Sequence, residues 1–470
     1  MNYLITVLMI AATICTNATE IQRFEVTGKG KIRFRYAGAT GDSLDSIPGI
    51  YGEYLNKGFD FRGRLDLELG YRLADALSLG AAVRITNEES DAVLWPPDLV
   101  SSRVLAGWWW AELQQGIFNA TVGAYDASFT PLTLMRWDPA DNPLGAGASC
   151  CAVTVGGLRG ESLEELTEDY KLEGVKVVLK PGPTSATLIF GRPALASESL
   201  SYARYLGGIR AGYDLFCPWA QTGAKFGLTA LQVADDRESV NEASVLPLCS
   251  DVVGGDFDIP VTDRIALVGE YAYSMRNDNT ADTVLVLEQR DHGASMGLRF
   301  GDREQLDGRF QYIRTGTDFA PLFRAQSVLS NRHGFRASLA RHNIFLGQMA
   351  ISISGYVKYQ QEFKPFIGDI PALGRYPGNF WIVTLSSRFE PWYEVSFGLD
   401  GELRRNSRQD DPDTGMDESL DVTEIIGSAL FAYNFTPQNS VQLKYSLMRH
   451  TEPTDRCLTY LPSLELSVRF

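Results

Sequence analysis

Charged side chains make up most of the residues that could do chemistry, and they stand at alternate positions between apolar residues. In KIRFRY the bases Lys31 and Arg33 flank Ile32, and in RLDLEL each charged residue is followed by a leucine. Rows of fixed charge on one face can orient small polar solutes or ions in a water-filled passage. The alternative is a ladder of ion pairs without a role in selectivity. The residues predicted to line such a passage are Arg33, Arg35, Arg62, Arg64, Asp66, Glu68, Arg299, Arg309, Arg336, Arg388, Glu402 and Arg404.

Histidine chemistry is weakly indicated by the sequence. The four histidines are His292, His333, His342 and His450. A hydrolase would need one of them beside a nucleophile or a pair of carboxylates. Asp291 precedes His292, but adjacent residues of a strand point to opposite faces. A barrel hydrolase is therefore the least favoured alternative. We expect no enzymatic activity and no cofactor, and without paired CxxC spacing we expect no metal site.

The alternating segments are predicted to be β-strands with one apolar face. FDFRGRLDLELGYRL alternates throughout, and DHGASMGLRF, FWIVTLSSRF and SVQLKYSL do so later. Strict alternation over such lengths indicates strands with one apolar and one polar face. The connections between successive segments are alternately short turns and long loops. The segments predict about 20 strands (range roughly 16–22) in one antiparallel up-and-down meander.

A soluble β-sandwich or propeller does not fit these segments. Strands in such proteins usually have about five or six residues, whereas the alternation here continues for longer. A soluble barrel of about 20 strands would enclose more volume than apolar side chains can fill. With the apolar face outward, lipid covers that face, water covers the charged face, and closure pairs the backbone groups. We therefore predict an all-β transmembrane barrel with long outer loops and short periplasmic turns.

The last eight residues carry the most specific mark in the chain. In SLELSVRF, one parity is apolar throughout and ends on an aromatic ring, at Leu464, Leu466, Val468 and Phe470. This segment resembles the terminal strand of bacterial outer-membrane β-barrels, which commonly ends in Phe. The resemblance implies a porin-like barrel in the outer membrane of a Gram-negative-type bacterium. It also implies two partners, the outer-membrane lipid and the barrel-assembly machinery, which reads these four residues as a signal.

Residues 1–18 are predicted to be a secretory signal peptide, and residues 19–470 the barrel with its inserted loops. The apolar run from Tyr3 to Cys15 is too short for a membrane helix, which needs about 20 residues. Small residues precede a possible cleavage after Ala18. A lipoprotein signal at Cys15 is the alternative. The formal net charge of −15 argues against nucleic acid as a partner.

Most of the negative charge lies in three long connections. Residues 87–101 carry a net charge of −4, and residues 127–169 and 406–421 carry −5 each. These loops could bind divalent cations, although solvation and repulsion between neighbouring molecules is the favoured interpretation. Tryptophans close to short turns predict aromatic girdles at the membrane interfaces. They are Trp108, Trp109, Trp110, Trp219 and Trp392.

Five cysteines remain once Cys15 is removed with the signal peptide. The alternation places four of them on the side of the long loops, and Cys217 in a short turn. In an oxidising compartment four cysteines could form two disulfides, and free thiols are the alternative. The four candidates for disulfides are Cys150, Cys151, Cys249 and Cys457.

The sequence favours passive passage of small polar solutes or ions. Barrels of about 16–18 strands leave an aqueous channel, and those of about 22 strands are plugged. The first strand is predicted to start near residue 29, which leaves no room for a plug domain before it. The alternative is a non-conducting scaffold or adhesion barrel that acts through its acidic loops.

The loop of about residues 127–168 is the longest in the chain. We hypothesise that it folds inward and narrows the pore, because roughly 40 residues exceed the length of a plain connection. An outer cap or a flap is the alternative for this loop.

Overall fold

The computed structural model describes nineteen segments of the chain. They are residues 23–41, 46–48, 54–56, 58–86, 104–135, 170–194, 202–220, 222–239, 246–280, 288–302, 305–325, 328–363, 366–367, 370–371, 377–392, 394–409, 420–436, 439–451 and 456–469. The predicted signal peptide, Cys150, Cys151, Phe470 and most of the three acidic connections lie outside these segments. Within them, no helix has the length and hydropathy needed to cross a bilayer.

Twenty strands form a single sheet. The first ten are β1 Arg23–Gly41, β2 Gly58–Ala74, β3 Leu77–Thr86, β4 Val104–Gln115, β5 Phe118–Ala127, β6 Tyr170–Leu179, β7 Thr184–Ala194, β8 Ala203–Leu215, β9 Ala224–Asp236 and β10 Cys249–Thr262. The other ten are β11 Ile265–Asn277, β12 Glu288–Gly301, β13 Leu306–Thr315, β14 Arg332–Leu346, β15 Met349–Glu362, β16 Asn379–Trp392, β17 Val395–Arg408, β18 Leu420–Thr436, β19 Asn439–Thr451 and β20 Arg456–Arg469.

Every strand pairs antiparallel with the next, and the last strand closes the sheet against the first. In that closing pair Phe34 lies opposite Leu464, and Arg33 lies opposite Glu465. The long strand β1 pairs on its other edge with β2, where Arg33 lies opposite Arg62. The predicted all-β, 20-stranded, up-and-down barrel is thereby confirmed. Its first strand starts at Arg23, earlier than the predicted residue 29.

The two rims of the barrel differ in the length of their connections. One rim, here called the short-turn rim, carries connections such as residues 75–76, 116–117 and 347–348. Gly116 and Gly347 adopt positive φ values of 56° and 66° there, a conformation that glycine accepts without steric cost. The opposite rim, here called the long-loop rim, carries the long connections. Two of these include short hairpins, Ser46–Pro48 with Tyr54–Asn56 and Phe366–Ile367 with Ile370–Pro371.

The faces of the strands are inverted relative to those of a soluble protein. Outward positions are apolar yet open, as at Leu228, which is 69% exposed, and Leu385, which is 62% exposed. Inward positions are frequently polar yet buried, as at Thr384 and Arg404, which are 3% and 1% exposed. A wide exposed apolar surface on a soluble protein would be a site of association or aggregation. The chain therefore has the architecture of a transmembrane β-barrel with lipid as the outer medium.

Aromatic residues lie outward near both rims, but the tryptophan triplet only partly matches its prediction. The ring centres of Tyr359 and Trp381 lie 4.4 Å apart near the long-loop rim, with the ring planes tilted by 42°, and Trp392 is exposed at the short-turn rim. Of the triplet, Trp109 faces outward. Trp108 and Trp110 face the lumen opposite Ala82 and Gly80, because successive residues of a strand alternate between its faces.

Candidate functional site

The candidate site is the inner wall of the barrel, where charged residues of neighbouring strands meet in pairs. Close to the closing seam, the Arg33 guanidinium on β1 donates to Glu465 on β20 over 2.9 Å. Lys31, one inward position away, lies 3.4 Å from the same carboxylate. Arg33 is 4% exposed, so the pair is largely withdrawn from water. Opposite charges in such surroundings attract strongly, which offsets the cost of removing them from solvent.

The second group lies on β2 and β3. Asp66 accepts from Arg64 over 2.8 Å on its own strand, and from Arg84 over 2.7 Å on the next strand. Glu68 follows at the next inward position and is exposed. One carboxylate thus holds two guanidinium groups on the wall of the lumen, where they can attract anionic or hydroxylated solutes.

The densest group lies on β16 to β19. The Arg404 guanidinium donates to Glu402 and lies 3.7 Å from Glu424. Glu424 is also 3.2 Å from Nδ1 of His450. Lower on the wall, Arg388 pairs with Asp400 at 3.1 Å. The cluster alternates in sign across neighbouring strands, which is the arrangement that lowers its electrostatic energy.

The fourth group joins β14, β15 and β17 through one glutamate. Arg332 and Arg408 lie 3.4 Å and 2.7 Å from the Glu362 carboxylate, which also accepts from the backbone N–H of Gly378 over 2.9 Å. On the same strand β14, Arg336 donates to the Gln311 amide oxygen over 2.9 Å. This part of the wall is therefore cross-linked over several strands by charge-assisted hydrogen bonds.

Bidentate pairs mark the wall from β8 to β12. Arg210 donates to both oxygens of Asp256 at 2.7 and 2.8 Å. Arg299 donates to both oxygens of Asp258 at 2.6 and 3.1 Å. The planar guanidinium matches the carboxylate in this geometry and fixes the orientation of both groups. Arg309 lies beside Arg299 in the register, so two bases adjoin here.

The strand register puts all twelve charged positions predicted from the sequence on the inward parity. Ten of their side chains are described, and they fall into the groups above. For Arg35 and Arg62 only the backbone is described, and it lies opposite Asp60 and Arg33 respectively. The role of these residues in lining a channel stays a prediction. The acidic partners that the sequence did not single out are Asp256, Asp258, Glu362, Asp400, Glu424 and Glu465.

Two loops from the long-loop rim lie inside the barrel. The first is residues 128–135, the start of the connection that we hypothesised to fold inward. The second is the described part of residues 316–331, that is 316–325 and 328–331, which the sequence did not single out. They are joined by backbone hydrogen bonds, from Met135 N–H to Phe323 O over 3.0 Å and from Ala325 N–H to Pro131 O over 2.8 Å. The backbone N–H of Leu132 also donates to the Glu270 carboxylate over 2.9 Å. The first loop is thereby tied to the wall.

These two inward loops cover an apolar part of the wall. Leu134 and Phe319 are fully buried, and the Phe319 ring rests on Gly293, where an added Cβ would come within 2.9 Å of it. The inward residues of the strands that pack with the loops are Tyr125, Ala127, Tyr170, Leu172, Ile189, Leu206, Leu231, Val233, Val252 and Ala272.

Arg324 holds the second loop in shape. Its guanidinium donates to Val328 O at 2.7 Å, to Pro321 O at 3.1 Å and to the Ser330 hydroxyl at 3.1 Å. Burial lowers the pKa of this guanidinium to about 10, and the positive charge of Arg276 adds to the decrease. Neutral carbonyl groups stabilise the side chain here, and the charge costs more than it would in water.

The cysteines and histidines occupy positions that limit their predicted roles. Cys249 faces outward on β10 and Cys457 faces inward beside His450 on β20, and both are free thiols. A disulfide between these two is excluded, because their strands are far apart in the sheet and they face opposite sides. Disulfides that involve Cys150 or Cys151, which lie outside the described residues, stay a prediction. His292 and His333 face outward, beside Tyr273 and Arg314 respectively.

Comparisons with known proteins give low similarities. No protein-family model matches the sequence, and no curated protein matches it. The outer membrane protein OpdK of Pseudomonas aeruginosa is 9% identical, with a TM-score of 0.42 over 95% of this chain and 99% of that one. OccAB4 of Acinetobacter baumannii is 10% identical, with a TM-score of 0.44 over 95% and 98%. OccK5 of P. aeruginosa is 9% identical, with a TM-score of 0.46 over 95% and 98%.

Proposed function

We propose that the chain is a porin-like channel of the outer membrane, through which small polar solutes or ions pass passively. The observation that carries this proposal is the charged inner wall of a closed 20-stranded barrel whose outer face is apolar. A barrel of about 16–18 strands already leaves an aqueous channel, so 20 strands enclose room for water even with the two inward loops in place. Side chains of both signs would guide polar solutes rather than select one charge.

A second candidate is a non-conducting scaffold or adhesion barrel. It is favoured by the nearly complete burial of Glu424 and His450, which are 0% and 1% exposed although they point into the barrel. That burial fits a wall whose ion pairs are structural and whose outer loops would carry the function. The acidic connections at residues 87–101 and 406–421 would then bind the partner of the scaffold or adhesion barrel.

Swelling of liposomes that contain the purified barrel separates the two candidates. Vesicles loaded with an impermeant polymer are diluted into an isotonic solution of a small polar solute such as glycine or arabinose. A channel predicts swelling at a rate that falls as the solute becomes larger. The scaffold predicts the rate of vesicles without protein. A heat-modifiable band on gel electrophoresis serves as the control for folding.

The predictions about targeting extend the same proposal. We infer that residues 1–18 direct secretion, that residues 19–470 form the mature protein in a Gram-negative-type outer membrane, and that Leu464, Leu466, Val468 and Phe470 address the barrel-assembly machinery. The outward positions of Leu464 and Leu466, which are 44% and 36% exposed, support the last point. N-terminal sequencing of the protein from an outer-membrane fraction tests the cleavage after Ala18.

A further inference from the structure

Two tryptophans lie on the inner face of β4, and Trp108 has the Arg84 guanidinium 5.4 Å and the Lys171 ammonium 6.0 Å from its ring centre. Trp108 and Trp110 are consecutive inward residues, and both are half-buried. The outward residue between them, Trp109, is 42% exposed on the lipid side. Attraction and orientation of ions would need no indole ring on a charged wall. The Trp110 ring therefore points to a different kind of solute.

The wall around Trp110 is built so that its ring can lie flat. Gly80 on β3 and Gly123 on β5 are its direct neighbours, and Gly70 on β2 lies next to Gly80 in the same row. A Cβ added at Gly80 would collide with Cζ2 and Cε2 of the Trp110 ring. The indole therefore covers the backbone of β3 with one face. Its other face is directed towards the lumen.

Hydrogen-bonding groups flank the two rings on both sides. On the side of the long-loop rim, the Arg84 guanidinium lies 5.4 Å from the centre of the Trp108 ring and pairs with Asp66. On the side of the short-turn rim, the Glu112 carboxylate accepts from the Asn119 amide over 2.7 Å. The arrangement is a flat apolar surface between donors and acceptors.

That arrangement matches the surface of a pyranose ring. One face of such a sugar carries C–H groups, whose positive ends are attracted to the negative face of an indole. Its hydroxyl groups radiate from the edge and both donate and accept hydrogen bonds. A binding site of this type combines an apolar contact with a few fixed polar groups. A simple inorganic ion offers no C–H face and would gain nothing from the ring.

We propose that Trp110 and Trp108 form a weak saccharide-binding site on the lumen wall, at which the pyranose rings of a neutral oligosaccharide stack during passage. The proposal rests on the proposed function, because it gives a substrate class to the same channel. Trp110 supplies the stacking face, and Trp108, with Arg84 and Lys171 over its ring, adjoins it at the next inward position. Arg84, Asp66, Glu112 and Asn119 supply hydrogen bonds to the hydroxyl groups.

The test is the interruption of ionic current through single channels by maltotriose or cellotriose. We expect either trisaccharide to block the wild-type current, and Trp110→Ala to weaken the block about tenfold, which is the loss expected for one stacking contact. Trp109→Ala is the matched control, since it removes an adjacent indole from the lipid face, and its block should equal that of the wild type. Gly80→Leu is the second variant, since it displaces the Trp110 ring without removing it and should weaken the block as well.

Each result decides the inference. Wild-type block that persists unchanged in folded Trp110→Ala and Gly80→Leu channels overturns it, as does a conducting wild type that neither sugar blocks. If folded wild-type barrels carry no current, the proposed channel function fails, and sugar binding is measured by calorimetry on the barrel in detergent. Binding that Trp110→Ala weakens and Trp109→Ala does not would uphold the site in that case. No binding to the wild type would overturn it.

Discussion

Adjacent residues on the two faces of one strand lie in opposite surroundings in this barrel. Arg404 and Arg405 are adjacent on β17, yet Arg404 is 1% exposed among carboxylates in the lumen, whereas Arg405 faces outward and pairs with Asp421 at 3.3 Å. The side chains of that outer pair are each 54% exposed. Burial decides how much each ion pair contributes to the stability of the fold, because water screens the outer pair and not the inner one.

Replacing these two arginines one at a time measures that difference. Arg404→Met leaves Glu402 and Glu424 buried beside each other without their base, which typically costs about 3–5 kcal/mol. Arg405→Met removes an exposed pair worth about 0–1 kcal/mol. Urea titrations of the two folded variants in detergent should show a far lower midpoint for Arg404→Met only. Equal midpoints would contradict the described burial of the inner cluster.

Asp66 and Leu67 give a second contrast, between lumen and lipid. Leu67 lies outward opposite Val83, and Asp66 lies inward opposite Arg84. An arginine at the lipid face near mid-membrane costs about 2–4 kcal/mol, so Leu67→Arg should strongly reduce the yield of folded barrel. Asp66→Ala should fold nearly as well as the wild type, because lumen water can solvate the released bases. Similar yields of heat-modifiable protein from both variants would show that the assigned faces are wrong.

Among the elements, the two inward loops fill a part of the lumen that the strands alone leave open. The loop at residues 316–331 places Phe319 against β12, and Thr315 ties the end of β13 to that loop through Leu329 O at 2.5 Å. The loop at residues 128–135 is held to its neighbour by backbone hydrogen bonds rather than by charge. Together they occupy lumen that a bare barrel would leave to water, so they would narrow the proposed passage.

Phe319→Ala is expected to widen that passage. Removing a fully buried aromatic ring typically costs about 3–5 kcal/mol, so the second loop should detach and single-channel conductance should rise. Phe310→Ala is the control, because that ring lies outward on β13 and is 48% exposed. The prediction fails if both folded variants conduct like the wild type.

The last strand should control assembly rather than conduction. β20 completes the closure by pairing with both β19 and β1, and its outward parity is the apolar one predicted to be read as a signal. Deleting Phe470, or changing it to Asp, should prevent the appearance of heat-modifiable barrel in outer-membrane fractions. Ser463→Asp, at an inward position of the same strand, is the control. Normal amounts of folded barrel from both Phe470 variants would refute the assigned signal.

Strands and faces could be predicted from the sequence because lipid and water enforce a period of two on every strand. The strand at residues 64–69 and its two faces are clearly predicted for that reason. VLAGWWWAELQQ is less clear, since both parities are apolar until Glu112 and Gln114 mark the inner face. The inward loop at residues 316–331 could not be predicted, because its contacts join segments distant in the chain. The signal available was the run of apolar inward residues such as Leu172 and Ile189, which a water-facing wall would not carry.

For the whole molecule, charge is divided between loops and lumen. The three acidic connections hold nearly the entire net charge of −15. On the lumen wall, bases and acids largely neutralise each other in pairs such as Arg210 with Asp256. Solutes would therefore meet a negative rim first and a mixed wall next. A barrel of this kind should favour cations only weakly. Salt screens the field of the acidic loop residues over a Debye length of about 8–10 Å.

The central claim is that this barrel encloses a continuous water-filled passage. Single-channel recording in a planar bilayer, with purified protein whose folding is verified by heat modifiability, tests it most directly. We expect discrete, reproducible steps of current that scale with salt concentration and show a slight preference for cations. Folded barrel that inserts into the bilayer without any step above the lipid baseline would contradict it.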